Sequence, residues 1–141
     1  MVVIGSDHAG FSLKEKIRAL LSEISIAYKD VGTLTEDVSV DYPLYANQVV
    51  DLILENSKRR GILICGTGVG MSIAANRHKG VRAALCHDVT STNLARTHND
   101  ANILVLGSRI IGVEVALDCV KTFLDTSFDG GRHKRRIEML D

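Results

Sequence analysis

The chain has 141 residues, 45% of them hydrophobic and 4% aromatic, and its 17 basic residues balance 17 acidic ones. This composition fits a single domain over residues 1–141 with a substantial core. Zero net charge and the lack of tryptophan argue against a nucleic-acid partner, and no apolar run is long enough to cross a membrane.

Three widely spaced cysteines, Cys65, Cys86 and Cys119, form neither a disulfide framework nor a zinc motif. The opening "MVVIGSDHAG" lacks the long apolar stretch of a signal peptide. Together these features favour a reducing, cytoplasmic location.

Short apolar runs alternate with segments of helical periodicity along the whole chain. The runs predict five strands, at 2–5, 26–32, 61–65, 81–86 and 102–107. The periodic segments predict helices at 12–23, 41–56, 69–78, from about 88, at 112–124 and, starting from glycine, at 130–140. Ser12 and Glu15 have capping-box spacing, Pro43 suits a first helical turn, and Asp88 is a typical N-cap residue.

This alternation predicts an α/β fold, in which a five-stranded parallel sheet is covered by helices on both faces. With right-handed crossovers, the expected strand order is 2-1-3-4-5. The switch point then lies between strands one and three. There the loops "GSDHAG" (5–10) and "CGTGVG" (65–70) would face each other across one crevice, where open α/β sheets bind ligands.

The glycine-rich loop 65–70 has three interpretations. A Walker loop requires Lys and Ser/Thr after its second glycine, which "GVGMS" lacks. A dinucleotide fingerprint requires G-x-G-x-x-G, whereas this loop reads G-x-G-x-G. Because Asp88 ends the next strand at a spacing that suits a ribose contact, a nucleotide-binding module stays an alternative. The third interpretation is a nest of backbone N–H groups at a helix N-terminus, which binds an oxyanion or a phosphate.

Cys65 ends the third predicted strand and is either a small buried hydrophobe, as most free cysteines are, or a reactive thiol. In the anion-nest interpretation, the positive end of the following helix stabilises its thiolate. A thiolate can remove a carbon-bound proton, and the loop N–H groups would then hold the enolate oxygen. Cys86 and Cys119 fit the buried alternative, since one ends a strand and the other lies on an apolar helical stripe.

Five segments taken together resemble the ribose-5-phosphate isomerase B family: "GSDHAG", "DYP", "GILICGTGVGMSIAANR", "RTHNDANILVLGSR" and "GGRHKRRI". Galactose-6-phosphate and allose-6-phosphate isomerases belong to the same wider family. The resemblance covers about residues 3–137. It implies a Rossmann-like three-layer α/β/α sandwich, a homodimer or dimer of dimers, no metal or cofactor, and interconversion of ribose 5-phosphate and ribulose 5-phosphate in the pentose phosphate pathway. A hexose 6-phosphate substrate stays open, because the sequence does not fix the depth of the pocket.

The resemblance also implies roles for individual residues. Cys65 is the base that moves a proton between C1 and C2 through a cis-enediolate, and His98 is the acid that opens the furanose ring. Thr67 and the surrounding loop steady the enediolate oxygens. The remaining substrate-binding residues are Asp7, His8, Gly66, Gly68, Val69, Gly70, Asn99, Arg109, Arg132 and Arg136. Some family members use a glutamate a few residues further on as the base. The segment "GVGMS" has no carboxylate, so no neighbouring residue could take this role from Cys65.

Several of these residues also have a structural alternative. Asp7 could cap a turn or helix, and His8 and Arg109 could be ordinary surface residues. Arg132 and Arg136, four apart on one helical face, could form a solvated basic tail or a nonspecific nucleic-acid patch, although two guanidinium groups suit a phosphate monoester better. Four residues could be combined into a zinc site: His87, Asp88, His98 and Asp100. Their spacing fits no closed metal motif, so no metal is expected.

The position of His98 predicts an oligomer. Cys65 lies at the carboxyl edge of the sheet. The helix from Asp88 starts at that edge and runs about 15 Å towards the opposite edge before it reaches His98 and Asn99. The helix at 112–124 runs in the same direction, so Arg132 and Arg136, which follow it, are also expected at the edge opposite Cys65. We therefore expect each site to be assembled across a two-fold interface, from Cys65 of one subunit and His98 of another.

Overall fold

The computed structural model describes all 141 residues and shows a parallel sheet between two layers of helices. The strands are β1 (Val2–Ser6), β2 (Tyr28–Asp30), β3 (Arg60–Cys65), β4 (Ala83–Leu85) and β5 (Ile103–Gly107). The helices are α1 (Phe11–Glu23), α2 (Tyr42–Glu55), α3 (Val69–Ala75), α4 (Val89–Asn99), α5 (Val113–Asp125) and α6 (Arg132–Ile137). The predicted three-layer α/β/α fold is confirmed, including the C-terminal helix.

The direction of each crossover decides which layer a helix joins. Right-handed connections that step one way along the sheet leave their helices on one face, and those that step the other way use the opposite face. One core therefore packs α1, α4 and α5 against residues such as Ile4, Ile62 and Leu104. The other packs α2 and α3 against alternate strand residues, including Leu63 and Val105.

The order of the last two strands differs from the prediction. The sheet runs β2-β1-β3-β5-β4, not 2-1-3-4-5. All five residues of β5 are buried, as a central strand covered on both faces requires, whereas the three residues of β4 are half-buried. The short β4 is an edge strand, and the Asn76 amide makes hydrogen bonds of 2.9 Å with both the N–H and the C=O of Ala83. The switch point stays between β1 and β3, so the expected crevice is unaffected.

The helix starts agree with the prediction in one case and differ in another. The Asp88 carboxylate caps α4 by accepting a 2.7 Å hydrogen bond from the Ser91 N–H, and the bonds from Ser91 lower the pKa of this carboxyl. The capping box at Ser12 and Glu15 is absent, because α1 already begins at Phe11 and Ser12 lies inside the helix.

No helix has the length and apolar character needed to span a bilayer.

Candidate active site

A cavity of about 280 Å³ opens at the carboxyl edge of the sheet, between the loops that follow β1 and β3. Its walls hold a thiol, a carboxylate, an imidazole and a guanidinium. The lining residues are Asp7, His8, Ala9, Tyr42, Cys65, Gly66, Thr67, Gly70 and Arg109. The two loops therefore face each other across one crevice, as the position of the switch point predicted.

Cys65 belongs both to the core and to the cavity wall. It is 5% exposed and packs in the core that α2 and α3 cover, yet it lines the crevice. Its Sγ accepts a hydrogen bond of 3.1 Å from the Gly68 N–H. The backbone of Gly68 has φ 77°, and a Cβ there would lie 2.4 Å from Leu85 Cδ1, so only glycine allows the loop to direct this N–H at the sulfur.

The glycine loop is fixed to the loop that follows β5. The Ser108 N–H donates to the Cys65 carbonyl and the Arg109 N–H to the Gly66 carbonyl, both at 2.9 Å. Thr67 is exposed, and its Oγ1 accepts a hydrogen bond of 3.3 Å from the N–H of Val69, which is also exposed. This attachment places the Thr67 hydroxyl beside Cys65 without burying it.

Arg109 lies over the glycine loop. A Cβ on Gly66 would lie 3.2 Å from Arg109 Nη1, so the absence of a side chain there lets the guanidinium approach the loop. Arg109 is thus a residue of the cavity, although it is exposed within a surface turn. A guanidinium at this place supplies positive charge to an anionic ligand.

Asp7 and His8 reach the cavity from the end of β1. The buried Asp7 carboxylate accepts a hydrogen bond of 3.0 Å from the Gly10 N–H, so its capping role and its place in the cavity coexist. His8 Nδ1 accepts from the Val40 N–H at 3.2 Å, which leaves the proton of the neutral ring on Nε2. The imidazole is therefore oriented by the backbone of the loop before α2.

Tyr42 is a cavity residue that the sequence reasoning missed. It is the first residue of α2, and a Cβ on Gly70 would lie 2.6 Å from its Cζ, so the ring lies directly against the glycine loop. The available signal was the segment "DYP", which the family resemblance included without giving Tyr42 a role. Ala9 also lines the cavity, through its place beside His8.

Two of the predicted residues, His98 and Asn99, lie far from Cys65. The Asn99 carbonyl at the end of α4 accepts a 3.0 Å hydrogen bond from Arg82, which precedes β4 at the amino edge of the sheet. The carboxyl edge is four residue steps away along β3 and β5, or about 13 Å. Neither His98 nor Asn99 lines the Cys65 cavity, in agreement with the helix geometry expected from the sequence.

Around His98 the structure gathers a second group of polar residues. The His98 ring stacks on His133, with centroids 4.2 Å apart and planes 11° apart. Arg132 and Arg136 are exposed on the same α6 helix. Partial desolvation and the charges of His98 and the two arginines lower the pKa of His133. This group is basic, and none of its residues lines the Cys65 cavity of its own chain.

A larger hollow of about 370 Å³ lies beside β4. Its walls are mostly apolar and hold no thiol, imidazole or carboxylate, although Asn99 reaches it. Chemistry rather than size therefore identifies the smaller cavity as the candidate active site.

A loop of backbone N–H groups at the switch point, beside a buried thiol and a guanidinium, defines an α/β enzyme that acts on a small anionic substrate. A sequence profile of the Ribose/Galactose Isomerase family matches residues 2–140. The chain belongs to the ribose/galactose isomerase family, and the resemblance noted from its motifs is confirmed.

Relatives agree with this membership over nearly their whole lengths. Ribose-5-phosphate isomerase B of Escherichia coli (strain K12) is 45% identical over 139 residues, covering 99% of this chain and 93% of the relative. The crystal structure of a ribose 5-phosphate isomerase from Thermotoga maritima has 57% identity and a TM-score of 0.96, covering 99% and 96% of the two chains. Ribose-5-phosphate isomerase B from Mycoplasma genitalium, with bound ribulose-5-phosphate, has 43% identity and a TM-score of 0.95, covering 99% and 92%.

Proposed function

We propose that this isomerase interconverts ribose 5-phosphate and ribulose 5-phosphate, with Cys65 as the base. The observation that carries the proposal is the Cys65 thiol in the cavity wall, with the Gly68 N–H 3.1 Å from its sulfur. This N–H holds the sulfur at the cavity wall, beside the loop that would receive the enediolate oxygens. The relative that holds ribulose-5-phosphate supports the choice of substrate.

The proton moves between two neighbouring carbons in this mechanism. The Cys65 thiolate removes the proton from C2 of the open-chain aldose, the C2–H electron pair forms the C1–C2 double bond, and the carbonyl π pair moves to O1 of the resulting cis-enediolate. The thiol then delivers this proton to C1 while the O2–H proton moves to O1, so that C2 becomes the carbonyl carbon of the ketose. Negative charge develops on the oxygens of the enediolate, where the Thr67 hydroxyl and the free N–H groups of the loop at Gly66 and Gly70 would stabilise it. Asp7 and His8 would hold the sugar hydroxyls.

The furanose ring must open before this step, and His98 is the proposed acid. Because His98 lies at the opposite edge of the sheet, we propose a homodimer in which His98 and Asn99 of one copy face the Cys65 cavity of the other. The exposed Arg132 and Arg136 would follow them and bind the phosphate. A two-fold contact makes both sites equal, and a dimer of dimers would preserve the arrangement.

Two alternatives differ in substrate. A six-carbon sugar phosphate is the nearer one, and the similarity to solved ribose-5-phosphate isomerases favours the five-carbon sugar. A nucleotide is disfavoured, since the Asp88 carboxylate that was a candidate ribose ligand is occupied with capping α4.

A coupled isomerase assay across ribose 5-phosphate, allose 6-phosphate and galactose 6-phosphate tests the proposal, with Cys65→Ala as the blank. We expect the highest kcat/KM on ribose 5-phosphate and none above background in the blank. Calorimetry with ribose 5-phosphate and with adenine nucleotides should show binding of the sugar phosphate alone. A hexose phosphate turned over faster, or an active blank, would contradict the proposal.

A further inference from the structure

Three potential metal ligands converge beside the C-terminal end of α4. The ligand atoms of His98, Asp129 and His133 all lie within 4.8 Å of one another. They come from three different elements: the last turn of α4, the loop after α5, and α6. Spacing along the chain does not predict this group, since His98 and Asp129 are 31 positions apart.

The backbone holds these elements together without help from the three side chains. The Asp129 N–H donates to the Thr97 carbonyl at 3.1 Å. Arg96, which is 2% exposed, donates through Nε to the Thr126 carbonyl at 3.2 Å. The loop that carries Asp129 is therefore attached to α4 by contacts that a bound ion would not need to create.

Two imidazoles and a carboxylate are a ligand set typical of Zn²⁺ sites with three protein ligands and one open position. Ligand atoms about 2 Å from such an ion lie roughly 3.4 Å apart, so they must close by about 1.4 Å from the widest separation in the cluster. Asp129 is exposed and the two histidines are half-buried, so side-chain rotation, which must also open the near-parallel stack of the two imidazoles, provides this movement.

We propose that His98, Asp129 and His133 bind Zn²⁺ and that the ion inhibits the enzyme by occupying His98. The binding stands on the ligand geometry alone, whereas the inhibition rests on the proposed ring-opening role of His98. Arg132 and Arg136 oppose a divalent cation here, which makes the ion a reversible inhibitor and not a permanent part of the fold. The sugar phosphate and the ion would then compete for the same place.

Calorimetry with Zn²⁺ tests the site most cleanly in the Cys65→Ala chain, because the Cys65 thiol is a rival ligand. One Zn²⁺ should bind per chain. Adding Asp129→Asn should weaken the binding by more than about tenfold, since even partners of metal ligands matter to that extent. Asp125→Asn removes the same charge from an exposed residue outside the cluster and should leave the affinity unchanged. Failure of Zn²⁺ to bind, or equal affinity with Asp129→Asn, would overturn the site.

Inhibition is measured separately, in chains that keep Cys65. Zn²⁺ should slow turnover of ribose 5-phosphate, a chelator should restore it, and Asp129→Asn should move the inhibition curve by the same factor as the affinity. Unchanged inhibition in Asp129→Asn would overturn the inhibitory role. An inactive chain that still binds Zn²⁺ at the cluster would count against the proposed function and leave the metal site standing.

Discussion

Gly107→Ala tests whether catalysis depends on the position of the glycine loop. Gly107 ends β5 and is paired with Cys65 in the sheet. A Cβ at Gly107 would lie 2.5 Å from the Thr67 carbonyl oxygen and 2.6 Å from its carbonyl carbon, where ordinary contact begins at 3.4 Å. The backbone of Thr67 must therefore move by about 0.9 Å, since backbone atoms cannot rotate away as a flexible side chain does.

The expected effect is large on turnover and moderate on stability. Overpacking of this kind lowers the free energy of unfolding by about 1–3 kcal/mol. A displacement near 1 Å of groups that hold the reacting atoms lowers kcat by roughly 100-fold. Gly112→Ala is the matched control, because a Cβ there meets nothing within 4 Å. It should change stability by less than about 1 kcal/mol and leave kcat unchanged.

Denaturant unfolding gives the first quantity and a coupled isomerase assay gives the second, on all three proteins. A Gly107→Ala enzyme with wild-type kcat and lowered stability would show that the loop need not be held in place. Wild-type stability would instead refute the close contact itself.

Three further predictions concern single groups. Cys65→Ser should unfold at the wild-type denaturant concentration but lose about 10²–10⁴-fold in kcat, because a hydroxyl is a far weaker base than a thiolate; a near-normal rate would place the base elsewhere. His98→Asn should impair cyclic ribose 5-phosphate more than an open-chain analogue, whereas equal losses would contradict a ring-opening acid. Burial raises the pKa of the Cys86 and Cys119 thiols, so the native chain keeps protons that the unfolded chain releases near pH 9. The free energy of unfolding should therefore fall as pH rises above that value. The double variant Cys86→Ala/Cys119→Ala should show a shallower decline, and an equally steep one would assign the pH dependence to other groups.

Local sequence patterns predicted the elements and the place of the cavity. Apolar runs and helical periodicity depend on which face of an element is buried, which the fold as a whole confirms. The crevice followed from the switch point between β1 and β3, which does not depend on how the last two strands are ordered. Asp88 was recognisable as a cap because capping depends only on residues next to it in the chain.

Features that depend on distant contacts were not predictable. The neighbour of β3 is β5, and only the short, alanine-containing β4 hinted at an edge position. Tyr42 joins the cavity because α2 packs beside the glycine loop, and the contact between His98 and His133 depends on how α6 returns to α4. Periodicity and spacing carry no information on such packing.

Recovery of activity in mixed dimers decides whether each active site draws residues from two chains. Cys65→Ala and His98→Asn chains are mixed in equal amounts under conditions where subunit exchange is demonstrated. Random pairing makes half of the dimers hybrids, each with one intact site of two, so activity should rise from near zero to about a quarter of that of wild-type dimers at equal concentration. Full exchange without any recovery would contradict a site built from Cys65 of one chain and His98 of another.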